Sequence, residues 1–329
     1  MRHLQYIYNN ETKLHYHFGC EKFSLNGISY SMANRSSEPF RQLYYQILQD
    51  INRRQIKIGK KFKKYVSIVD STSMPFSGDG SEWAQGGKSR RETRAHCIID
   101  ASGVPLDMYV SGASMHDSRG FKQLSLGKTE VIIMDRAYYG YTLWKDLCDK
   151  ELTFITRAKS NMKYEVVSKR KGRKPAGIVS DETIYFYKNN TRRKNRLLLR
   201  RIVIKSKNGC IAFITNDLDS KANIITDLYK SRWEIEIFFK CIKQTLKIKR
   251  FMGRSKNAIE IQLWVAMIVY LILFLIKNMS KFKGKYIELI RLIRAKLTER
   301  VNLYDLLNPD ILEAYKNYMQ PSLFKSSGQ

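Results

Sequence analysis

Short apolar runs of strand length recur along the first half of the chain, separated by polar segments. Runs rich in Val, Ile, Tyr and Thr predict strands, whereas apolar residues that recur every three or four positions predict helices. The predicted strands cover residues 65–69, 95–99, 106–110, 131–134 and 153–156, and short helices are expected at 117–124 and 141–148. Strands that alternate with helices indicate an α/β fold built on a central sheet.

The pattern changes after Arg157. Residues 157–207 carry 17 Lys or Arg against 3 Asp or Glu, and strand-like runs lie at 184–187, 197–204 and 210–215. This segment is predicted to be a basic, mostly β insertion. Helical periodicity follows from about Lys221 to Tyr318, with Asn257 as a possible cap of its second helix. Another helix is expected near the N-terminus, after Ser37.

Charge is the main feature of the composition. Lys and Arg number 59 against 30 Asp and Glu, a net charge of +29. Such an excess predicts a polyanionic partner, nucleic acid above all, although a basic solubilising or ribosome-associated surface is the alternative. Scattered cysteines and the lack of a signal-peptide pattern fit a cytoplasmic protein. The fourteen uncharged residues 263–276 fall short of the ~20 needed to cross a bilayer, so we expect a core helix and no membrane partner.

Three acidic residues directly follow predicted strands: Asp70 after residues 65–69, Asp100 after residues 95–99, and Asp135 after residues 131–134. Asp70 and Asp135 are the two candidates. Ligand sites in open α/β sheets lie at the ends of strands, and metal-dependent chemistry on phosphodiesters needs converging carboxylates. An aspartate in this position is at least as often a turn or capping residue. Neither residue alone therefore indicates a site.

A stronger pattern lies in the helical region. Tyr229, Arg232, Glu236 and Lys243 are separated by three, four and seven residues, which at ~3.6 residues per turn places them within a ~60° arc of one helix. Glu234 points away from this arc and is not a candidate ligand. The structural alternative is a solvated helix face with an ordinary Arg232–Glu236 ion pair. The residues alone do not decide between the two.

Several segments together resemble the DDE transposases of the fourth insertion-sequence family. The Y-(2)-R-(3)-E-(6)-K spacing is similar to the signature of that family, and residues 70–72, 135–138, 154–161 and 248–264 resemble further segments in the same order. The resemblance covers roughly residues 14–318. It implies an α/β fold with a ribonuclease H-like mixed sheet and helices, interrupted by the basic mostly-β insertion, plus a small helical N-terminal region and a helical C-terminal region.

The resemblance also implies roles for individual residues. Asp70, Asp135 and Glu236 would be the catalytic acids and would hold two Mg²⁺ ions, with Mn²⁺ as a substitute. Tyr229, Arg232 and Lys243 would contact DNA phosphates; Arg232 can bind a phosphate bidentately, and Lys243 offers a point charge.

The same resemblance implies a reaction. The chain would cleave and transfer strands at the ends of a bacterial insertion sequence, by cut and paste through nicking, hairpin formation, hairpin opening and insertion into target DNA. Its partners would be double-stranded DNA at terminal inverted repeats and target sites, and a second copy of itself in a synaptic complex. It would act in the bacterial cytoplasm, at the nucleoid.

We expect five regions along the chain. Residues 1–60 would be a shortened DNA-binding region, residues 61–157 and 217–280 the two parts of the catalytic core, residues 158–216 the insertion, and residues 281–329 a C-terminal helical region. Family members begin with a longer helical region, so the N-terminus is expected to be incomplete.

Two alternative functions remain from the residues alone. One is a ribonuclease H-like nuclease that cuts DNA without joining strands. The other is a truncated or domesticated DNA-binding remnant. No nucleotide cofactor is expected, because Gly86-Gly87-Lys88-Ser89 lacks the earlier glycine of a phosphate-binding loop, which would fall at Glu82.

Two further residues need an interpretation. Trp233 could stack on an unpaired base, although packing in the core is the favoured role. Asp117, which follows His116, is expected to cap the helix predicted at 117–124 rather than to take part in metal or acid–base chemistry.

Overall fold

In a computed structural model of the chain, the described residues are 2–12, 15–16, 19, 22–53, 64–75, 82–84, 92–170, 177–188, 195–207, 209–245, 251, 253, 255–280, 282–296, 299, 302 and 306–307. The chain divides into two compact units, one formed by residues 57–256 and the other by residues 1–56 and 257–329. The five functional regions expected from the sequence stay a prediction.

The described residues of the larger unit form nine strands. They are β1 (Val66–Pro75), β2 (Glu92–Asp100), β3 (Pro105–Gly112), β4 (Val131–Met134), β5 (Thr153–Arg157), β6 (Tyr164–Lys169), β7 (Ile178–Tyr187), β8 (Arg196–Ser206) and β9 (Gly209–Thr215). They form one mixed sheet in the order β3-β2-β1-β4-β5-β9-β8-β7-β6. β4 pairs in parallel with both β1 and β5, and the other pairs are antiparallel.

The helices of this unit are short. They are α4 (Asp117–Phe121), α5 (Tyr141–Asp149), α6 (Ala222–Lys230) and α7 (Trp233–Lys240), and a π-helical turn (Cys241–Thr245) follows α7. Trp144 of α5 packs against Phe154 of β5 and Phe186 of β7, with ring centroids 5.3 and 4.8 Å apart. This aromatic contact joins the helix to both halves of the sheet.

The smaller unit is helical. It contains α1 (Arg2–Asn10), α2 (Leu25–Asn34), α3 (Glu38–Arg53), nearly all of α8 (Lys256–Met279), and α9 (Tyr286–Ala295). Tyr44 of α3 and Trp264 of α8 are both buried, and their rings lie 5.2 Å apart. The contact packs α3 against α8.

Asn257 does not cap α8, contrary to expectation, because that helix already begins at Lys256. Its amide nitrogen donates to the carbonyls of Met32 and Arg35, and its amide oxygen accepts the Ser37 N–H. The side chain therefore satisfies backbone groups between α2 and α3, which the helical pattern around Asn257 does not reveal.

The helix α8, which contains the uncharged residues 263–276, is longer than that stretch. α8 has 24 residues and is, among the described residues, the one helix long and apolar enough to cross a membrane, with 61% of its most apolar window buried. The uncharged residues 263–276 are only part of this helix, which continues through polar as well as apolar residues at both ends. Burial against the rest of the protein, as at Trp264, is what favours a core helix.

Arg200 of β8 is 1% exposed. Its guanidinium binds both carboxylate oxygens of Asp181 on β7 at 2.8 and 2.7 Å, and also donates to the carbonyls of Ser220 at 2.6 Å and Asp217 at 3.4 Å. The last two contacts lie in the turn that leads into α6. A buried charge satisfied on all sides therefore ties the far strands of the sheet to the start of this helix.

Replacing Arg200 with Met should lower the free energy of unfolding by about 3–5 kcal/mol, because it leaves Asp181 buried without its main cation. Urea unfolding followed by circular dichroism measures the change. Lys145→Ala, which breaks the exposed Lys145–Asp149 pair, is the control and should have little effect. A loss for Arg200→Met no larger than in the control would show that the pair does not hold the fold.

Candidate active site

Asp70 and Asp135 are brought side by side by the pairing of β1 with β4. These strands are parallel, and Val69 lies opposite Met134, so the next residue on each chain is one of the two aspartates. β4 ends there, and Asp135 begins a short 3-10 helix (Arg136–Tyr138), with its side chain accepting the Arg136 N–H at 2.7 Å.

Asp70 itself does not end its strand. β1 continues to Pro75 through pairing with β2, so the expectation of two strand-end acids is correct for Asp135 and wrong for Asp70. Beyond Val69, β1 has passed the end of its pairing with β4. The edge that opens there is where Asp70 lies.

The two oxygens of Asp70 have different surroundings. Oδ1 accepts the N–H of Ser71 at 2.8 Å, and Oδ2 lies 3.9 Å from Nη1 of Arg232. Burial raises the pKa of Asp70 to about 6, and the neighbouring charge of Asp135 adds to the rise. The Ser71 N–H and Arg232 oppose this change without cancelling it. The positive groups around Asp70 therefore offset its burial only in part.

The predicted helix face is distributed over two helices. α6 ends at Lys230, Ser231 and Arg232 form a turn, and α7 begins at Trp233. Ser231 and Arg232 nevertheless keep φ and ψ in the right-handed helical region. The angular relation among Tyr229, Arg232 and Glu236 survives because the break is this slight.

Arg232 lies between two of the acids. Its Nη2 is 2.5 Å from Oε1 of Glu236, and its Nη1 faces Asp70. Its guanidinium carbon is 6.0 Å from the centre of the Tyr229 ring. Burial alone would lower the pKa of Arg232, but the hydrogen bond to Glu236 and the charge of Asp135 outweigh it and raise that pKa. The side chain therefore stays charged and links the acids of the sheet to α7.

Tyr229 is 8% exposed and packs against Phe213 of β9, with ring centroids 4.8 Å apart. Its hydroxyl is buried and has no hydrogen-bond partner among the described residues. Burial raises the pKa of Tyr229 to about 12, and the charges of Asp135 and Asp70 act in the same direction. The tyrosine is therefore a neutral donor near the two aspartates with an unused hydrogen.

Lys243 lies in the π-helical turn, and its Nζ donates to the carbonyl of Ser73 on β1 at 2.7 Å. That carbonyl is on the part of β1 beyond its pairing with β4. The lysine thus attaches the turn to the strand that carries Asp70. π-helical turns are frequent at functional sites.

Trp233 and Glu234, which are close to Glu236 in sequence, have different surroundings from it. Trp233 is 61% exposed, so the favoured expectation of core packing is wrong, and its indole is accessible to a ligand. Glu234 acts on Asp100, whose pKa is raised to about 6 mainly by burial and partly by the charge of Glu234. Glu234 therefore lies near enough to Asp100, at the end of β2, for its charge to be felt there.

A fourth acid, Asp117, does not have the role predicted from the sequence. The N-terminal cap of α4 is His116, without a side-chain capping bond, so Asp117 does not act as the predicted cap. Its Oδ1 instead lies 2.5 Å from Oγ of Ser71 and 3.1 Å from Nη1 of Arg94. Burial lowers the pKa of the adjacent His96 to about 4, so Arg94 supplies the positive charge that faces Asp117. The partners are distant in sequence, and no periodic pattern marks them.

An open cavity of about 460 Å³ lies beside Asp135. It is lined by Arg136, Lys159 and Asn161, together with Ala137 and Ser160. Two cationic side chains and an amide thus surround one aspartate, a composition that suits a bound phosphate.

Divalent metal ions fit part of this arrangement. Asp70 and Asp135 are adjacent oxygen donors, the pKa of Asp70 is raised by burial, and Mg²⁺ favours carboxylate ligands. Within the described part of the chain, no three His, Cys, Asp or Glu side chains are grouped closely enough to hold a metal ion. Glu236 is ion-paired with Arg232, so it would have to release that partner to become a third ligand.

Comparison with known proteins places this chain among transposases. "Putative transposase y4zB" of Sinorhizobium fredii is 28% identical over 84% of this chain and 78% of its own length. "Probable transposase for insertion sequence element IS5377" of Geobacillus stearothermophilus is 26% identical, over 80% and 70% respectively. "Putative transposase for insertion sequence element IS4SA" of Synechocystis is 25% identical, over 86% and 80%.

A family model covers most of the folded core. The model described as Transposase DDE domain matches residues 61–272, well over half of the chain. The matched segment includes Asp70, Asp135 and Glu236, and proteins with this domain generally use divalent metal ions and act on DNA. The chain therefore belongs to the DDE transposase domain family.

Proposed function

We propose that this protein is the transposase of a bacterial insertion sequence of the fourth family, with a ribonuclease H-like core interrupted by the strands β6–β9. The observation that carries the proposal is the juxtaposition of Asp70 and Asp135 beside Arg232 and Glu236, within a segment that matches the DDE domain. Two relatives carry names that refer to insertion sequence elements. The protein acts in the cytoplasm, at the nucleoid.

Asp70, Asp135 and Glu236 are the proposed ligands of two Mg²⁺ ions. When bound, these ions would activate the attacking oxygen and stabilise the leaving oxygen at the scissile phosphate. Arg232 contacts both Asp70 and Glu236, so it would have to leave Glu236 for that carboxylate to hold metal, and its guanidinium would then be available to a DNA phosphate. The reaction is strand cleavage followed by strand transfer at the element ends, by cut and paste.

The same geometry supports the proposed DNA contacts. Arg232 and Lys243 supply cations, and the exposed indole of Trp233 can stack on an unpaired base. The hydroxyl of Tyr229 is buried and has no partner among the described residues, so it would donate to a phosphate oxygen once DNA binding uncovers it. Two ends must be joined, so the protein works as a homodimer in the synaptic complex. The net charge of +29 supports the required approach to DNA, because it offsets the repulsion between the acids and phosphate.

Asp70→Asn, Asp135→Asn and Glu236→Gln should each abolish Mg²⁺-dependent cleavage and strand transfer while DNA binding is retained. The reason is that each carboxylate binds metal and not phosphate. The measurements are a strand-transfer assay with pre-cleaved 3′-hydroxyl ends and a filter-binding assay.

Glu234→Gln is the matched control, on the same helix and two residues from Glu236, and should keep near wild-type activity. Near wild-type activity in any of the three variants would remove that residue from the site. Cleavage without joined product by the unmodified protein would instead identify a nuclease.

Tyr229→Phe should leave the free energy of unfolding unchanged or raise it by about 1 kcal/mol, because a buried hydroxyl without a partner is costly. Cleavage should nevertheless fall about tenfold, the equivalent of one lost hydrogen bond to the phosphate. Urea unfolding and single-turnover cleavage measure the two quantities. A marked loss of stability would mean that the hydroxyl supports the fold instead.

Lys243→Gln should flatten the dependence of log K for DNA binding on log salt by about one unit, because one phosphate contact is lost. Titrations at several salt concentrations measure the slope. Lys145→Gln, which changes an exposed lysine paired with Asp149, should leave it unchanged. An unaltered slope in Lys243→Gln would restrict this lysine to its contact with the Ser73 carbonyl.

A further inference from the structure

Asp117 contacts the strand that carries Asp70 from its other side. Successive side chains of a strand point to opposite faces of the sheet, so Ser71 faces away from its neighbour Asp70. The hydroxyl of Ser71 lies 2.5 Å from Asp117 Oδ1, and the N–H of the same serine donates to Asp70 Oδ1 at 2.8 Å. One residue thus connects the two carboxylates.

Arg94 holds Asp117 in this position. Its Nη1 lies 3.1 Å from Asp117 Oδ1 and 3.3 Å from the carbonyl of Met115. The two charged side chains are 25% and 18% exposed, which shields their pairing from water. Behind them, Gly120 of α4 lies so close to the ring of His96 that a Cβ atom there would overlap the imidazole. The start of α4 is therefore fixed against β2.

The strand needs such support at this point. Pairing between β1 and β4 ends at Val69, one residue before Asp70, whereas pairing with β2 continues to Pro75. At Asp70 and Ser71, β1 is therefore paired with a described strand along only one of its two edges. A hydrogen bond from a different element compensates for the missing strand partner, as outer groups commonly do for metal-binding side chains.

We propose that Asp117 is a positioning residue for Asp70, acting through Ser71. Asp117 fixes the serine, the serine N–H holds Oδ1 of Asp70, and Oδ2 is left facing Nη1 of Arg232. Asp117 itself binds neither metal nor DNA in this scheme. The inference rests on the proposed function, because it assigns Asp117 a role only through the metal-binding role of Asp70.

The test compares Asp117→Ala and Ser71→Ala with the wild type in the full-length protein. Single-turnover cleavage and the Mn²⁺ concentration for half-maximal rate report on the reaction. The rise in thermal midpoint on adding Mn²⁺ without DNA reports on metal binding independently of activity. We expect each variant to lose about 10–100-fold in cleavage or in apparent metal affinity, with a smaller Mn²⁺-induced rise and unchanged DNA binding without metal.

Conservative variants separate positioning from folding and from direct ligation. Ser71→Thr keeps the hydroxyl and should restore most of the activity that Ser71→Ala loses. The double variant Ser71→Ala/Asp117→Ala should be no worse than Asp117→Ala alone, because both changes break the same connection. Asp149→Asn, an exposed acid on α5, is the control and should behave as the wild type.

The outcomes that overturn the inference are distinct. An unchanged Mn²⁺ response in Asp117→Ala, or additive losses in the double variant, would show that Asp117 does not act through Ser71. Asp117→Asn as inactive as Asp70→Asn would make Asp117 a ligand instead of a positioning residue. Full activity of Asp70→Asn would refute the proposed function itself, whereas an inactive Asp70→Asn beside wild-type Asp117→Ala refutes only the positioning role.

Discussion

The register between β1 and β4 is the constraint on which the candidate site depends. A shift of one residue would move every side chain of a strand to the opposite face, and Asp70 and Asp135 would no longer be neighbours. The register is fixed where the two strands begin. Glu130 accepts the Tyr65 N–H through its carboxylate at 2.7 Å, and the hydroxyls of Ser67 and Thr129 lie 2.7 Å apart. Polar contacts at one end of the pair thus set the carboxylates at the other.

Once the acids are adjacent, electrostatics decides what can bind them. Arg232 is the nearby cation, but it is closer to Glu236 than to Asp70, and the pKa of Asp70 is still raised. Burial and the like charge of Asp135 therefore outweigh Arg232 and the Ser71 N–H. Added positive charge therefore lowers the electrostatic free energy of the two neighbouring carboxylates. A DNA phosphate alone would raise that free energy, so a cation and a basic surface are both needed beside the carboxylates.

Much of the fold could be predicted because buried strands in this chain consist of apolar, β-branched runs. β4 matches its predicted range, and β5 extends only one residue beyond it. β6 was missed because its residues are almost all exposed and show no alternation. β1 was ended too early because the residues after Val69 are polar while still paired with β2. Hydrophobicity alone cannot predict the end of a strand whose last residues are polar because they form part of a site.

The candidate site was also predictable only in part, because sequence patterns reveal local contacts and not contacts between distant residues. Spacing along a helix identified Tyr229, Arg232 and Glu236, because contacts within a helix are local in sequence. Ser71 and Asp117 were not identified, since 46 residues separate them and only the fold brings them together. The family resemblance supplied what spacing could not, the association of Glu236 with two strands.

The strands β8 and β9 help to hold the helix that carries Tyr229 in position. β9 pairs with β5 next to Thr156, whose hydroxyl donates to the carbonyl of Asp135. Phe213 of β9 packs against the Tyr229 ring. Arg200 of β8 holds the turn before α6 by donating to the carbonyls of Asp217 and Ser220. Both ends of α6 are therefore fixed by this part of the sheet. Because Arg232 lies two residues after the end of α6, a displacement of β8 or β9 would move the guanidinium relative to Asp70.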